Sequence, residues 1–195
     1  MFAFGNKHPY HEVVMSTRIK TNSPVALAVH DQRAYIVNGS KSAAYCGSLR
    51  SGVGIPYDIT TKSGKPIADD ILGVIGRAIE KNGVTLHKVV TRSGLAKESV
   101  TEELIKTSAP RSLYIGIHEW KTDTYVNADL YCLVILQVLD NKGNILAENT
   151  VKANREGFGG NFWNPKKAAK KGALKALKMK MEELINEPNI LNTFE

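Results

Sequence analysis

The stretch KPIADDILGVIGRAIEKNGVTLHKVV, Lys65 to Val90, decides the fold class because it contains one helix followed by one strand. Pro66 suits the first helical turn, where its missing N–H has no helical partner. Asp69 and Asp70 place negative charge near the positive end of the helix dipole. Asn82-Gly83 predicts a left-handed stop. The apolar residues recur at helical spacing and form one stripe: Ile67, Ile71, Val74, Ile75, Ala78 and Ile79.

A strand is predicted on each side of this helix. VALAVHD (25–31) precedes it, and VTLHKVV (84–90) follows it. Strand, helix, strand is the signature of a parallel βαβ pair. AYIV (34–37) is predicted to prolong the first strand. Residues 1–24 show no clear periodicity and are interpreted as an extended, partly mobile lead-in.

The connection from Asn38 to Ser63 is long and rich in glycine and serine. A structureless loop of this length is uncommon in a compact domain. It is therefore interpreted as functional, as disordered, or as containing a short strand within 53–59.

A second, weaker helix is predicted after the second strand. Ala96, Val100 and Leu104 share one face, and Ser99 with Glu102 matches a capping box. Ala109-Pro110 ends this helix, because a helix rarely continues into a proline.

The second half of the chain predicts three successive strands and a last helix. The strands are RSLYIGIHEW, YVNADLYCLVILQVLD and NILAENTVKANRE, with Asp123 in the first turn and Asp140 to Gly143 in the second. The middle strand alternates and is expected to be central. Its apolar face holds Val126, Ala128, Leu130, Cys132, Val134, Leu136 and Val138. The apolar stripe of the last helix holds Leu174, Leu177, Met181, Leu184 and Ile185.

The predicted order of elements is β-α-β-α-β-β-β-α. This order is typical of the α+β class (or α/β), with a single mixed β-sheet and helices packed on the sheet. We expect one domain over residues 24–195, preceded by the lead-in of residues 1–24.

Composition excludes several classes of protein. The chain has 195 residues, of which 43% are hydrophobic and 23% charged, and this is an ordinary globular composition. No apolar run is long enough for a transmembrane helix. The start MFAFGNKHPYHEVV does not match a signal peptide.

The chain has two cysteines, Cys46 and Cys132, and this number excludes a disulfide-stapled scaffold and a four-cysteine zinc site. One disulfide or two separate thiols stay open, with separate thiols as the default.

Charge is concentrated near the C-terminus. The formal net charge is +7, and the segment PKKAAKKGALKALKMK (165–180) holds seven lysines and no acid. The interpretations are a solvated helix face, an anionic membrane surface, or nucleic acid. No aromatic residues interleave the lysines, which weakens the case for single-stranded nucleic acid.

The glycine-rich connection does not match a nucleotide-binding loop. A Walker A loop would need glycine at Ile59 and a hydroxyl residue at Pro66, and a dinucleotide fingerprint would need glycine at Tyr57. The connection is instead interpreted as a contact surface, because long loops often carry binding residues. The candidate partner-binding residues are Arg50, Tyr57, Asp58 and Lys65, which we expect to lie together, and the aromatic residues Phe158 and Trp163.

No catalytic or metal-binding pattern is found in the sequence. His118 and Glu119 are adjacent on a strand and would point to opposite faces, as would His30 and Asp31. The histidines are expected to be solvent-exposed, and no Gly-x-Ser-x-Gly elbow occurs. The chain is therefore predicted to be non-enzymatic, with no catalytic residues, no metal and no cofactor.

The motifs VALAVHD, AYIVNG and GVGIPYDITTKSGKPIADD resemble those of uncharacterised bacterial envelope lipoproteins of the YajG type. The second-half segments RSLYIGIHEW and NADLYCLVILQVLDNKGNILAENTV, and the ending EELINEPNIL, are similar to the same family. The resemblance covers about residues 24–190. It implies a mixed βαβ-type sheet and a periplasmic, outer-membrane protein anchored by an acylated N-terminal cysteine. It implies no catalytic residues.

One departure from the family concerns the anchor, since Cys46 lies well inside the domain and no lipobox cysteine precedes it. The expectation is that the N-terminus was trimmed and Met1 added; if Met1 is the natural start, a cytoplasmic location follows. The predicted function is to bind another envelope component, a protein or a glycan. The alternative is a basic cytoplasmic nucleic-acid-binding protein. The oligomeric state stays open.

Overall fold

The computed structural model describes residues 6–125, 127–160 and 165–195, without the side chains of 158–160, 165, 166 and 168. Within them eight strands form one mixed sheet with helices packed on it, which confirms the predicted α+β class. The strands are β1 Lys7–His8, β2 Val25–Asp31, β3 Tyr45–Arg50, β4 Pro56–Thr61, β5 Leu86–Val89, β6 Arg111–Thr124, β7 Asn127–Asp140 and β8 Ile145–Gly160. The helices are α1 Ala34–Val37, α2 Ile67–Glu80, α3 Lys97–Lys106, α4 Pro165–Ile185 and α5 Pro188–Leu191.

The unit β2–α2–β5 forms as the sequence predicts. Strand β2 lies between β5 and β6, runs parallel to both and is buried along its whole length. Helix α2 buries its predicted apolar stripe. Gly83 follows the helix with a φ of 82°, which is the left-handed conformation predicted for the stop. A continuous apolar run suits β2, because strands covered on both faces need no alternation.

Strand β6 is shared by two neighbours on one side. Its first half pairs with β2, and its last residues pair with β3, with Gly47 opposite Thr122. A Cβ at residue 47 would clash with the backbone carbonyl oxygen of Thr122, so only glycine allows this close approach. A register shift between Ile117 and Glu119 separates the two halves.

The junction between β2 and β3 is held by the buried Arg33. Its guanidinium makes two hydrogen bonds to the carboxylate of Asp31, at 2.8 and 2.7 Å. It also donates to the carbonyl oxygens of Tyr45 and Trp120, at 2.7 and 3.1 Å. The side chain thereby satisfies backbone carbonyl groups at the point where the neighbour of β6 changes from β2 to β3.

The second half is an antiparallel meander of β6, β7 and β8, as predicted. In the last turn the Asp140 carboxylate accepts from the N–H groups of Lys142 and Asn144. Asp123 was expected in a turn but lies inside β6, because pairing with β3 extends that strand to Thr124. In the described part of the chain β8 pairs only with β7, so its outer edge has no strand partner.

The two faces of the sheet are covered unequally. Helices α2 and α4 pack on one face and form the main core with the apolar face of β7. Of that predicted face, Val126 lies outside the described residues. On the other face α3 covers only the region near β2, where Val100 and Leu104 contact Ala26, Ala28, Ala109, Tyr114 and Leu139. Beyond this region, outer-face side chains of β6 and β7 such as Glu119, Lys121 and Tyr131 are half-buried.

Two local predictions are wrong, and a third is incomplete. AYIV forms the short helix α1, because β2 ends at Asp31 and the chain turns at Arg33. The short strand that was one interpretation of the connection 38–63 is present as β4, but the connection also contains β3, which pairs with β4 and was not predicted. Helix α3 begins at Lys97 after Ala96, with no side-chain cap, so Ser99 and Glu102 form no capping box.

The N-terminal segment is also different from the expected loose lead-in. Tyr10, Val13, Met15 and Ile19 are buried in the main core. The indole N–H of Trp120 donates to the Tyr10 hydroxyl at 3.2 Å. Residues 6–20 thus bury apolar side chains in the main core, and this burial stabilises the fold.

Several titratable side chains lie deeper than expected. His8 and His30 are buried, which contradicts the prediction of exposed histidines. Cys46 and Cys132 are free thiols, and both are buried. None of the described helices has the length and apolar character needed to cross a membrane.

Candidate functional site

The outer face of the sheet contains a cleft of about 770 Å³, here called the outer cleft. It lies between the tip of the β3–β4 hairpin, the β6–β7 turn and β8. Alternation along the strands places it opposite the main core, since Leu49 and Leu130 are core residues and their neighbours Arg50 and Asp129 face the cleft. The described residues that line it are Arg50, Val53, Gly54, Asp123, Tyr125, Asn127, Asp129, Tyr131 and Arg155.

Two arginine–aspartate pairs occupy the walls of the outer cleft. Arg50 makes a bidentate pair with Asp123, with N–O distances of 2.9 and 2.6 Å. This hydrogen bonding raises the pKa of the Arg50 guanidinium. Nε of Arg155 lies 3.2 Å from Oδ2 of Asp129. Asp123 and Asp129 are opposite each other on the neighbouring strands β6 and β7, so the two ion pairs lie side by side.

The rim of the outer cleft is aromatic and apolar. The Tyr125 hydroxyl donates to the carbonyl oxygen of Gly52 at 3.0 Å and so links the two hairpin tips. Val53, at the tip of the β3–β4 hairpin, is 83% exposed, and Tyr125 is 49% exposed. The ring of Tyr131 lies 5.3 Å from the ammonium of Lys121, a cation–π distance. Exposed rings beside hydrogen-bonding groups are typical of binding surfaces.

The same face continues toward α1 with further paired charges. Lys41 contacts Asp58 at 2.6 Å, and Lys121 lies 3.6 Å from Glu119. The Tyr35 hydroxyl donates to Glu119 at 2.5 Å. Burial raises the pKa of Tyr35, so its hydroxyl stays protonated and acts as a donor. This surface therefore offers many polar groups with little unbalanced charge.

The charged groups of the outer cleft are paired with each other. Asp123 is paired with Arg50, and Asp129 with Arg155. No three His, Cys, Asp or Glu side chains gather as a metal site in the described part of the chain. Hydrogen bonding and ring contacts are what this geometry can provide.

The predicted site residues lie in different places. Arg50 lines the outer cleft, and Asp58 lies on the same face in its pair with Lys41. Tyr57 alternates to the opposite face and packs against the main core. Lys65 is exposed just before α2, where its carbonyl oxygen accepts from the Thr61 hydroxyl. The four residues are thus not brought together.

The two aromatic candidates cannot be placed in the site. Trp163 lies outside the described residues, and only the backbone of Phe158, within β8, is described. Their role in partner binding stays a prediction.

Sequence reasoning missed most of the cleft. Asp123, Asp129 and Arg155 belong to three different strands and converge only through their register. The polar face of β7, with Asn127 and Asp129, was the available signal, because polar residues alternating with a buried face mark an open surface.

Comparison with known proteins shows the fold. Neither the family models nor the curated proteins compared with the chain give a match. Among solved structures, a DUF330 protein from Xanthomonas campestris is 14% identical with a TM-score of 0.57, covering 93% of this chain and 95% of that one. At this identity the likeness concerns the fold alone.

Two more distant structures are similar over much of the chain. The PelC dodecamer from Paraburkholderia phytofirmans is 12% identical with a TM-score of 0.41, covering 88% of this chain and 90% of that one. Lipoprotein GNA1162 from Neisseria meningitidis is 13% identical with a TM-score of 0.32, covering 69% of this chain and 83% of that one.

Proposed function

We propose that this chain is a non-enzymatic binding protein of the bacterial cell envelope, lipid-anchored in its native form, and that its outer cleft recognises an envelope glycan. The observation that supports this is the pairing of charges: Arg50 lies against Asp123, and Arg155 lies against Asp129. The cleft therefore presents many donors and acceptors with little net charge. Neutral sugars are rich in hydroxyl groups, and their apolar faces can pack on aromatic rings such as Tyr125.

The envelope location is supported by the resemblance of the sequence motifs to YajG-type lipoproteins. An envelope protein is the other partner class that the resemblance predicts, and it would need an interface of standard size around the cleft. The nucleic-acid alternative gains no support from the comparisons. It also suits the outer cleft poorly, because phosphate backbones bind to unpaired cations.

The test of glycan recognition is calorimetric titration with two neutral envelope sugars, soluble N-acetylglucosamine oligomers and a neutral O-antigen oligosaccharide of lipopolysaccharide. The double variant Arg50→Ala/Arg155→Ala removes donors on both walls, and we expect affinity to fall at least about tenfold. Arg92→Ala/Lys142→Ala is the matched control, since it removes the same charge at exposed positions away from the outer cleft. The control should bind like the wild type.

Two results would contradict the proposal. Absence of binding to both glycan preparations would exclude glycan recognition, and equal weakening by both double variants would exclude the outer cleft as its site. The anchor is tested separately, by mass spectrometry of the protein from its native host. An unmodified cytosolic product would overturn the envelope assignment.

A further inference from the structure

A second pocket, here called the inner pocket, lies between the β1–β4 edge of the sheet and the start of α4. Its volume is about 280 Å³. It belongs to the core side of the sheet, because Leu49 and Ile59 form part of its lining and also part of the main core. The outer cleft begins at the next residue, Arg50, on the other face.

Three lysines surround the inner pocket: Lys7 on β1, and Lys167 and Lys170 on α4. None of the described carboxylates lines it. The pKa of Glu12 is lowered first by its hydrogen bond to Lys62, at 2.6 Å, and to a smaller extent by the charge of Lys170. The Glu12 carboxylate is therefore already paired with Lys62. Lys7 and Lys170 therefore place positive charge at the pocket mouth, which favours an anion.

The remaining lining is apolar or neutral. Leu49, Ile59 and Ala169 are buried side chains that form the floor. His8 lines the wall, and its Nε2 lies 3.3 Å from the Thr122 hydroxyl. Its Nδ1 has no hydrogen-bond partner among the described residues. Burial, and then the charge of Lys170, lower the pKa of His8 to about 4, so the ring is neutral and adds no charge.

Size and chemistry together limit the ligand. Pockets for whole drug-sized molecules measure roughly 300–1,000 Å³, and the inner pocket, at about 280 Å³, lies just below that range. It can take a head group and a few methylene groups but not a long chain. Lysines bind phosphate or carboxylate as point charges, and an apolar floor gains free energy by covering methylene groups.

We propose that the inner pocket binds a phosphate group attached to an apolar chain, with Lys7 and Lys170 at the anion and the Leu49–Ile59 floor under the first methylene groups. This site goes beyond the outer cleft and does not depend on the function proposed for that face. The general basic face of α4 would attract anions of any kind, whereas the inner pocket requires both parts of the ligand.

The experiment is calorimetric titration of the chain with dihexanoylphosphatidylglycerol as a monomer. Parallel titrations use inorganic phosphate and dihexanoylphosphatidylcholine, and vesicles of phosphatidylcholine with and without phosphatidylglycerol test surface adhesion. We expect the monomeric anionic lipid to bind more tightly than either soluble comparison ligand. Its addition should also shift the NMR signals of the His8 ring.

The variants separate the inner pocket from the lysine-rich helix face. Lys7→Gln/Lys170→Gln should weaken binding of the monomeric anionic lipid at least about tenfold. The control Lys171→Gln/Lys175→Gln removes the same charge at exposed α4 positions that do not line the pocket, and should change affinity by less than about twofold.

Each other outcome would overturn the proposal. Equal weakening by both double variants would mean general attraction to the helix face. Binding to anionic vesicles without binding to the monomeric lipid would mean surface adhesion. Inorganic phosphate binding as tightly as the lipid would remove the role of the apolar floor, and no binding of the monomeric lipid would remove the site.

Discussion

At the scale of single residues, burial in the folded protein disfavours protonation of the His8 ring. It is 3% exposed, and burial lowers its pKa to about 4, from the ordinary value of 6.5. Between these two values the unfolded chain binds a proton at this position and the folded chain does not. The free energy of unfolding must therefore decrease as the pH falls through this window.

We expect His8 to lower the free energy of unfolding by up to about 3 kcal/mol between pH 6.5 and pH 4. In His8→Gln the side chain no longer titrates, so the stability of the variant should depend less steeply on pH over this range. Urea unfolding at several pH values measures both proteins. A variant with the same pH slope as the wild type would contradict the assignment.

Single residues also show how much of the outer cleft the sequence could predict. Arg50 was found because an exposed cation on a polar connection is a common binding residue. Tyr57 was misjudged, because alternation in β4 depends on a pairing with β3 that no local pattern reveals. Arg155 has a φ of 63° and reaches Asp129 from a bulged position in β8, which the sequence does not signal.

At the scale of elements, the N-terminal segment behaves as part of the core and not as a linker. Tyr10 is completely buried and contacts Trp120 edge-to-face, with ring centroids 6.3 Å apart. The backbone N–H of Ser16 and that of Arg18 donate to Glu182 and Asn186 of the C-terminal region. The segment therefore joins the two ends of the chain.

We expect Tyr10→Ala to lower the free energy of unfolding by about 3–5 kcal/mol, because a large buried ring leaves a cavity. Val14→Ala is the matched control in the same segment; Val14 is 73% exposed, so its truncation should change stability by less than about 0.5 kcal/mol. Urea unfolding monitored by circular dichroism measures both. Equal stabilities of the two variants would show that residues 6–20 are a loose lead-in after all.

Elements differed in how well their sequences predicted them. Helix α2, strand β2 and the meander are long or strongly periodic, and local pattern was sufficient. Strands β3 and β4 are six residues each and mostly polar on one face. They exist because β3 pairs with the far end of β6, a contact between residues distant in sequence. Helix α1 likewise depends on the anchoring of Arg33 and overrides the β-propensity of AYIV.

At the scale of the whole molecule, the two thiols report whether the sheet unfolds as one unit. Cys46 lies on β3 and Cys132 on β7, on opposite sides of β6. Both are buried, and burial raises both pKa values, that of Cys132 to about 11. A buried thiol that is protonated reacts slowly with thiol reagents.

We expect neither cysteine to react with a disulfide reagent in the native protein, and both to react at one common rate in mild denaturant. The reason is that each becomes accessible only when the shared core opens. Mass spectrometry of the labelled protein over time measures the two rates. Rapid labelling of Cys46 alone, with the helices intact, would show that the β1–β4–β3 side opens independently.

The long outer edge of β8 affects the solubility of the protein, because such an edge can pair with a strand of another copy. Among the described strands this edge of 16 residues has no partner, and such an edge is a template for strand addition and hence for aggregation. Here Asn189 of α5 donates to the carbonyl oxygen of Glu148, and the bulge at Arg155 bends the far end. Lys152 adds an exposed charge between them. Solubility of this fold thus depends on a few polar groups along one strand, and not only on its net charge.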